Sequence, residues 1–115
     1  MEENAGRKII FYGEEFWDFY NKQSNKVKKR INWTMGVIKD FERIPEKYFK
    51  HIKGTSLYEI RISQGNDIFR IFCFFDKGKL VIVLNGFQKK SQKLPKKEIN
   101  KALKLQKEYY DEKRG

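Results

Sequence analysis

Residues 57–88 hold three strand-length apolar runs, at 57–63, 68–75 and 80–88, separated by two short polar turns. The turns are Ser63-Gln64-Gly65-Asn66-Asp67 and Asp76-Lys77-Gly78-Lys79. A glycine in each supplies the positive φ that a tight reversal needs. Connections this short cannot carry a crossover, so the three runs form an antiparallel meander. Any fold for this chain is built around that sheet.

The flanks read as one more strand and three helices. Lys8-Ile9-Ile10-Phe11-Tyr12 is rich in β-branched and aromatic residues and predicts a short strand. Residues 14–20 predict a first helix, with Glu14, Glu15 and Asp18 near its positive end. Ser24 or Asn25 can cap a second helix whose apolar stripe is Val27, Ile31, Thr34, Ile38 and Phe41. Gly36 inside it costs about 1 kcal/mol relative to alanine, which close approach of another element would justify. Pro45 closes the segment, and residues 46–56, with His51, Lys53 and Gly54, read as a loop. A last helix starts at Pro95 and runs to about Lys113, with Ile99, Leu103, Gln106 and Tyr110 on one side. The order β-α-α-β-β-β-α predicts a single α+β domain over residues 1–115. Helices are expected on one face of an antiparallel sheet, leaving the other free to present side chains.

Charge narrows what that face meets. The 115 residues carry 26 Lys+Arg against 15 Asp+Glu, a formal net charge of +11. Eighteen aromatic residues exclude a disordered polycation. The excess lies in two blocks, net +7 over residues 21–53 and net +8 over 77–115, flanking a nearly neutral sheet. Such a surface seeks phosphate, nucleic acid first and an anionic membrane or acidic protein second. One cysteine, Cys73, excludes an internal disulfide and a cysteine-based metal cluster, and one histidine, His51, excludes a His-pair ribonuclease. No apolar run approaches the ~20 residues that span a bilayer, and Met1-Glu2-Glu3-Asn4 lacks a signal-peptide core, so a cytoplasmic protein is expected.

Strand parity then sorts the side chains. Leu57, Glu59, Arg61 and Ser63 share one face of the first meander strand, and Arg70, Phe72 and Phe74 share one of the second. A central-strand arginine is costly to bury unpaired. Arg61 and Arg70 therefore either pair with Glu59 or Asp67, or look onto an open face awaiting an anion. Cys73 reads as inert core. The third strand ends in Gly86-Phe87-Gln88-Lys89-Lys90, where Gly86 marks a bulge or a close backbone approach. Phe87 beside the lysines reads either as a base-stacking platform or as core next to solvated charge. Lys96 and Lys97 oppose the dipole of the last helix, and Leu94 is a poor cap; a phosphate held there would explain both.

Four segments in order, Leu57-Tyr58-Glu59-Ile60-Arg61, Phe69-Arg70-Ile71-Phe72, Gly86-Phe87-Gln88-Lys89-Lys90-Ser91 and Pro95-Lys96-Lys97-Glu98-Ile99, resemble the phage-derived, HigB-like branch of the RelE/ParE toxin superfamily. The resemblance covers about Ile9 to Tyr109. It implies a RelE-like fold and a type II toxin, neutralised by a cognate antitoxin that is often a helix-turn-helix protein. It implies ribosome-dependent cleavage of mRNA by attack of a ribose 2′-OH on the adjacent phosphorus. By position it implies catalytic roles for Arg61, Arg70 and Lys90, and RNA contacts for Lys53, Phe87, Lys89, Lys93, Lys96 and Lys97. Glu59 stands where some members have lysine, and no tyrosine lies near Pro95. A lysine with a lowered pKa, or His51, is then a candidate base. Basic side chains suffice for this chemistry, so neither a cofactor nor a metal is expected. A ParE-like inhibitor of DNA gyrase and an inactive RNA- or protein-binding relative are the alternatives.

Overall fold

The computed structural model describes residues 6–115, so the reading of Met1-Glu2-Glu3-Asn4 lies outside the described residues. The elements are β1 (Lys8–Phe11), α1 (Glu15–Asn21), α2 (Asn25–Asp40), β2 (Phe49–His51), β3 (Tyr58–Gln64), β4 (Asp67–Phe75), β5 (Leu80–Lys89) and α3 (Lys96–Arg114). They form an α+β fold compatible with the RelE-like architecture. The sheet order is β1-β5-β4-β3-β2.

The meander is antiparallel throughout, β3 on β4 and β4 on β5. Two features differ from the expectation. β1 joins β5 in parallel, Lys8 opposite Leu80 and Phe11 opposite Val83, so the sheet is mixed. A three-residue strand, β2, emerges from the expected loop and pairs antiparallel with β3, Lys50 opposite Glu59 and His51 opposite Tyr58.

The sheet is covered on both faces, not one. On the first face Phe16 and Phe19 of α1 and Val27, Ile31, Met35 and Ile38 of α2 bury Ile60, Ile62, Phe69, Ile71, Val81 and Val83. Cys73 lies in this core, where burial pushes its thiol pKa up, and it is inert as expected. On the second face α3 packs Ala102, Ile99, Leu105, Tyr109 and Tyr110 over Leu57, Phe72, Phe74, Ile82 and Leu84. Ile99 and Tyr110 of the expected side pack here, but the buried centre of α3 is Ala102, and Leu103 is 37% exposed. A β-bulge makes the coverage possible. Between Ile71 opposite Gly86 and Cys73 opposite Val83, the single residue Phe72 faces both Leu84 and Asn85. Asn85 then donates through Nδ2 to the backbone oxygen and Oε1 of Glu98, fixing the start of α3. The far end of α3 is held by buried Asp76, which accepts from the Tyr109 hydroxyl at 2.6 Å and Lys113 Nζ at 2.8 Å.

Two glycines divide. Gly86 meets the ring of Phe19, which a Cβ would approach to 2.6 Å, so the close approach read from its position is real. Gly36 has nothing within 4 Å of a built Cβ, so no neighbouring element requires it. Gly36→Ala should therefore stabilise the protein by about 1 kcal/mol, a rise in Tm of about 4 °C by calorimetry. An unchanged or lowered Tm would contradict this. Ser24 caps α2, accepting from the Val27 amide at 3.3 Å, and the helix ends at Asp40, well before Pro45. Phe41 is the residue just after it and is exposed, outside the buried stripe.

Candidate functional site

Register brings the two arginines together. Arg61 of β3 lies directly opposite Arg70 of β4, and Arg70 opposite Phe87 of β5. Directly opposed residues share a face, so these three form one rung across the sheet. The adjacent rung runs from Lys50 of β2 through Glu59 of β3 to Phe72 of β4. Like charges opposed in this way repel unless something compensates them.

Glu59 is the compensating group. Its Oε1 lies 2.6 Å from Arg70 Nε and 4.0 Å from Arg61 Nε. The closer contact lies off the Nε–H direction, so it balances charge without forming a well-aligned hydrogen bond. Arg70 NH1 also donates to the Phe69 carbonyl at 3.0 Å. Arg70 is only 5% exposed, and its pKa is lowered by burial and by Arg61 while Glu59 pulls it back up. Of the two alternatives for the arginines, pairing with Glu59 is the one realised for Arg70. Asp67 instead accepts from Gln88 at 3.3 Å. The Arg61 side chain keeps 29% exposure and extends to the sheet edge, where NH1 donates to the Glu46 carbonyl at 3.3 Å.

Glu59 also lines an open cleft of about 580 Å³ with Lys50, His51, Ile52, Lys53, Lys93 and Leu94. This cleft brings together Lys53 and Lys93, both anticipated as RNA contacts, with two residues that were not, Lys50 and Glu59. Lys50 was missed because β2, three residues long, is too short to show a period. His51 touches the cleft, yet its cross-strand partner is Tyr58 and its ring lies 5.1 Å from the Tyr58 ring. That is the face opposite Glu59. His51 Nε2 is 2.6 Å from the Thr55 carbonyl, so this nitrogen carries the proton.

The remaining expected residues lie elsewhere. Lys90, past the end of β5, and Lys89 line a second open cleft of about 560 Å³ with Asn66, Asp67 and Ile68, apart from the Glu59 cleft. Phe87 is 9% exposed and packs edge-on against Phe72 at 5.2 Å, so it is core and cannot serve as a stacking platform. The aromatic was needed to fill the space beneath α3. Lys96 and Lys97 are exposed in the first turn of α3, which has no side-chain cap.

Among the described residues, no group of three or more His, Cys, Asp or Glu is placed to hold a metal ion. No helix among them is long and apolar enough to cross a membrane. A family model described as phage derived protein Gp49-like (DUF891) matches residues 18–107, from within α1 to within α3. No curated protein matches the chain.

Proposed function

The chain belongs to the phage-derived Gp49-like family (DUF891), a RelE/toxin-like family, and from that membership we propose that it is a toxin cleaving messenger RNA on the ribosome. The observation that carries the reading is the Glu59 cleft, where one carboxylate stands among three lysines with Arg61 on the next rung. Cleavage by 2′-OH attack forms the O2′–P bond and breaks the P–O5′ bond. It needs an acceptor for the 2′-OH proton, positive charge around the phosphoryl oxygens and a proton for the departing 5′-oxygen.

Glu59 is the proton acceptor in this reading. Its closest contacts to both arginines are made through Oε1, which leaves Oε2 for the 2′-OH. Arg70 is buried behind it and is a positioning residue, acting through the carboxylate it holds. Arg61 and the ammonium groups of Lys50, Lys53 and Lys93 surround the phosphate, and one ammonium protonates the 5′-oxygen. A cognate antitoxin presenting acidic side chains to this cleft would neutralise it.

Expression in a bacterial host should arrest growth and leave mRNA broken within codons, mapped by primer extension. Glu59→Gln should lower the cleavage rate by about 10²–10⁴-fold. Because Glu59→Gln also disturbs Arg70, Lys93→Ala is the companion variant: Lys93 is exposed, so its loss leaves the fold intact while cleavage falls. Arrest with intact mRNA and accumulated gyrase–DNA complexes would replace this reading with the gyrase-inhibiting one.

A further inference from the structure

A second cationic surface lies on α2 and around the edge of the sheet, outside the Glu59 cleft. The helix from Asn25 to Asp40 has no acid in its first turn and carries Lys26, Lys28, Lys29 and Arg30 in its first half. Cations at that end oppose the helix dipole, so local helix stability does not account for them. One turn on, Trp33 is 49% exposed. The Arg30 guanidinium lies over the Trp33 ring, 5.4 Å from its centre. Trp33 packs edge-to-face with Tyr48 at 5.3 Å, and Lys47 Nζ stands 5.0 Å over the Tyr48 ring.

Two hollows adjoin these rings and share Arg30. The first, of about 400 Å³, also has Lys26, Lys29 and Trp33 in its wall. The second, of about 200 Å³, includes Lys47, Tyr48 and Arg61. No carboxylate lines either hollow. Arg61 therefore belongs at once to the Glu59 rung and to the wall of the second hollow. The cationic surface is continuous in its residues from Lys26 to the candidate cleavage site.

We propose that this surface is a binding track for single-stranded RNA, with a base stacking on the Trp33–Tyr48 pair and phosphates held by Lys26, Lys29, Arg30 and Lys47. Exposed aromatic rings interleaved with cations are the means by which proteins hold unpaired nucleotides, because every base has a face to stack and every linkage a charge. An acidic protein would meet the cations with carboxylates, whereas the interleaving of cation and ring at Arg30, Trp33, Tyr48 and Lys47 matches the alternation of phosphate and base. An anionic membrane would favour several apolar side chains projecting together, whereas Trp33 is flanked by Lys29, Arg30 and Asn32. The track gives the protein affinity for free RNA, in addition to any it has for the ribosome. It is a claim about binding and stands whether or not the Glu59 cleft cleaves.

The test uses the full chain and a 2′-O-methylated single-stranded RNA of about twelve nucleotides, which cannot be cleaved by 2′-OH attack. Binding is read by fluorescence anisotropy. Trp33→Ala should weaken it about tenfold, and Trp33→Phe should restore most of the loss. Removing one phosphate-contacting cation with Arg30→Ala should flatten the dependence of affinity on salt. A protein without nuclease activity gives the same result, so failure here and failure of the cleavage reading are separate outcomes. Equal binding by wild type and Trp33→Ala, or a duplex of the same length bound as tightly as the single strand, would overturn the track. So would binding to phosphatidylglycerol vesicles with none to the RNA.

Discussion

Arg70→Ala should lower the unfolding free energy by about 3–5 kcal/mol, read from urea denaturation. The substitution removes the partner 2.6 Å from Glu59 and leaves that carboxylate, itself 8% exposed, with Arg61 at 4.0 Å and the looser charge of the cleft lysines. An uncompensated charge in such a place costs far more than the intact pair contributes. The paired substitution Glu59→Leu with Arg70→Met separates the two effects. It replaces both charges with apolar groups of similar volume and should return stability to within about 1 kcal/mol of wild type. The proposed activity should stay lost in that double variant, because the proton acceptor has gone. If Arg70→Ala proved nearly neutral, the Glu59 carboxylate would be compensated by solvent and the cleft lysines, and the role of Arg70 as its support would be wrong.

Asp76→Ala should cost about 1.5–3 kcal/mol and flatten the pH dependence of stability at both ends. Asp76 ties the β4–β5 turn to the last turns of α3 through Tyr109 and Lys113. The Lys113 side chain is 44% exposed, so its share is small, and the part-buried hydrogen bond from Tyr109 carries most of the effect. The Lys113 and Tyr109 hydrogen bonds hold the Asp76 carboxyl below the usual carboxylate range. Its contribution is therefore full above about pH 4 and fades as pH falls through the lower folded value. Tyr109 moves the opposite way, pushed up to about 12 by burial and by its bond to Asp76. Its contribution is full below about pH 10 and is lost between there and about 12, since the unfolded chain loses the phenolic proton first. Urea titrations across pH should show both slopes in the wild type and reduced slopes in Asp76→Ala. Identical pH profiles would mean that the Asp76 cluster contributes no linkage.

What was legible in the sequence was what local chemistry decides. The meander followed from two glycine turns, and strand parity alone put Glu59 beside Arg61 and Arg70 beside Phe72. The pairing of Arg70 with Glu59 was one of two readings; parity could not choose, because burial depends on what α3 covers. β1 against β5 was hidden because a parallel pair is separated by most of the chain. β2 was hidden because its three residues are held by their register on β3 rather than by a pattern of their own. Phe87 was ambiguous for a different reason. An aromatic followed by lysines reads alike whether it fills a core or faces solvent, and the bulge that aims β5 beneath α3 depends on long-range register.

That bulge also governs how the chain tolerates change in length. Upstream of it Ile82 and Leu84 face α3, and downstream Phe87 faces α3, although their numbers differ in parity. The extra residue on β5 opposite Phe72 is a phase shift that keeps both halves pointing the same way. Deleting one residue there would not shorten the strand harmlessly. It would turn the segment from Gly86 to Lys89 over, carrying Phe87 to the α1–α2 face and stripping Arg70 of its neighbour. Substitutions in this part of β5 act locally, on volume or on the Asn85 hydrogen bonds, whereas insertions and deletions decide which face each following side chain takes.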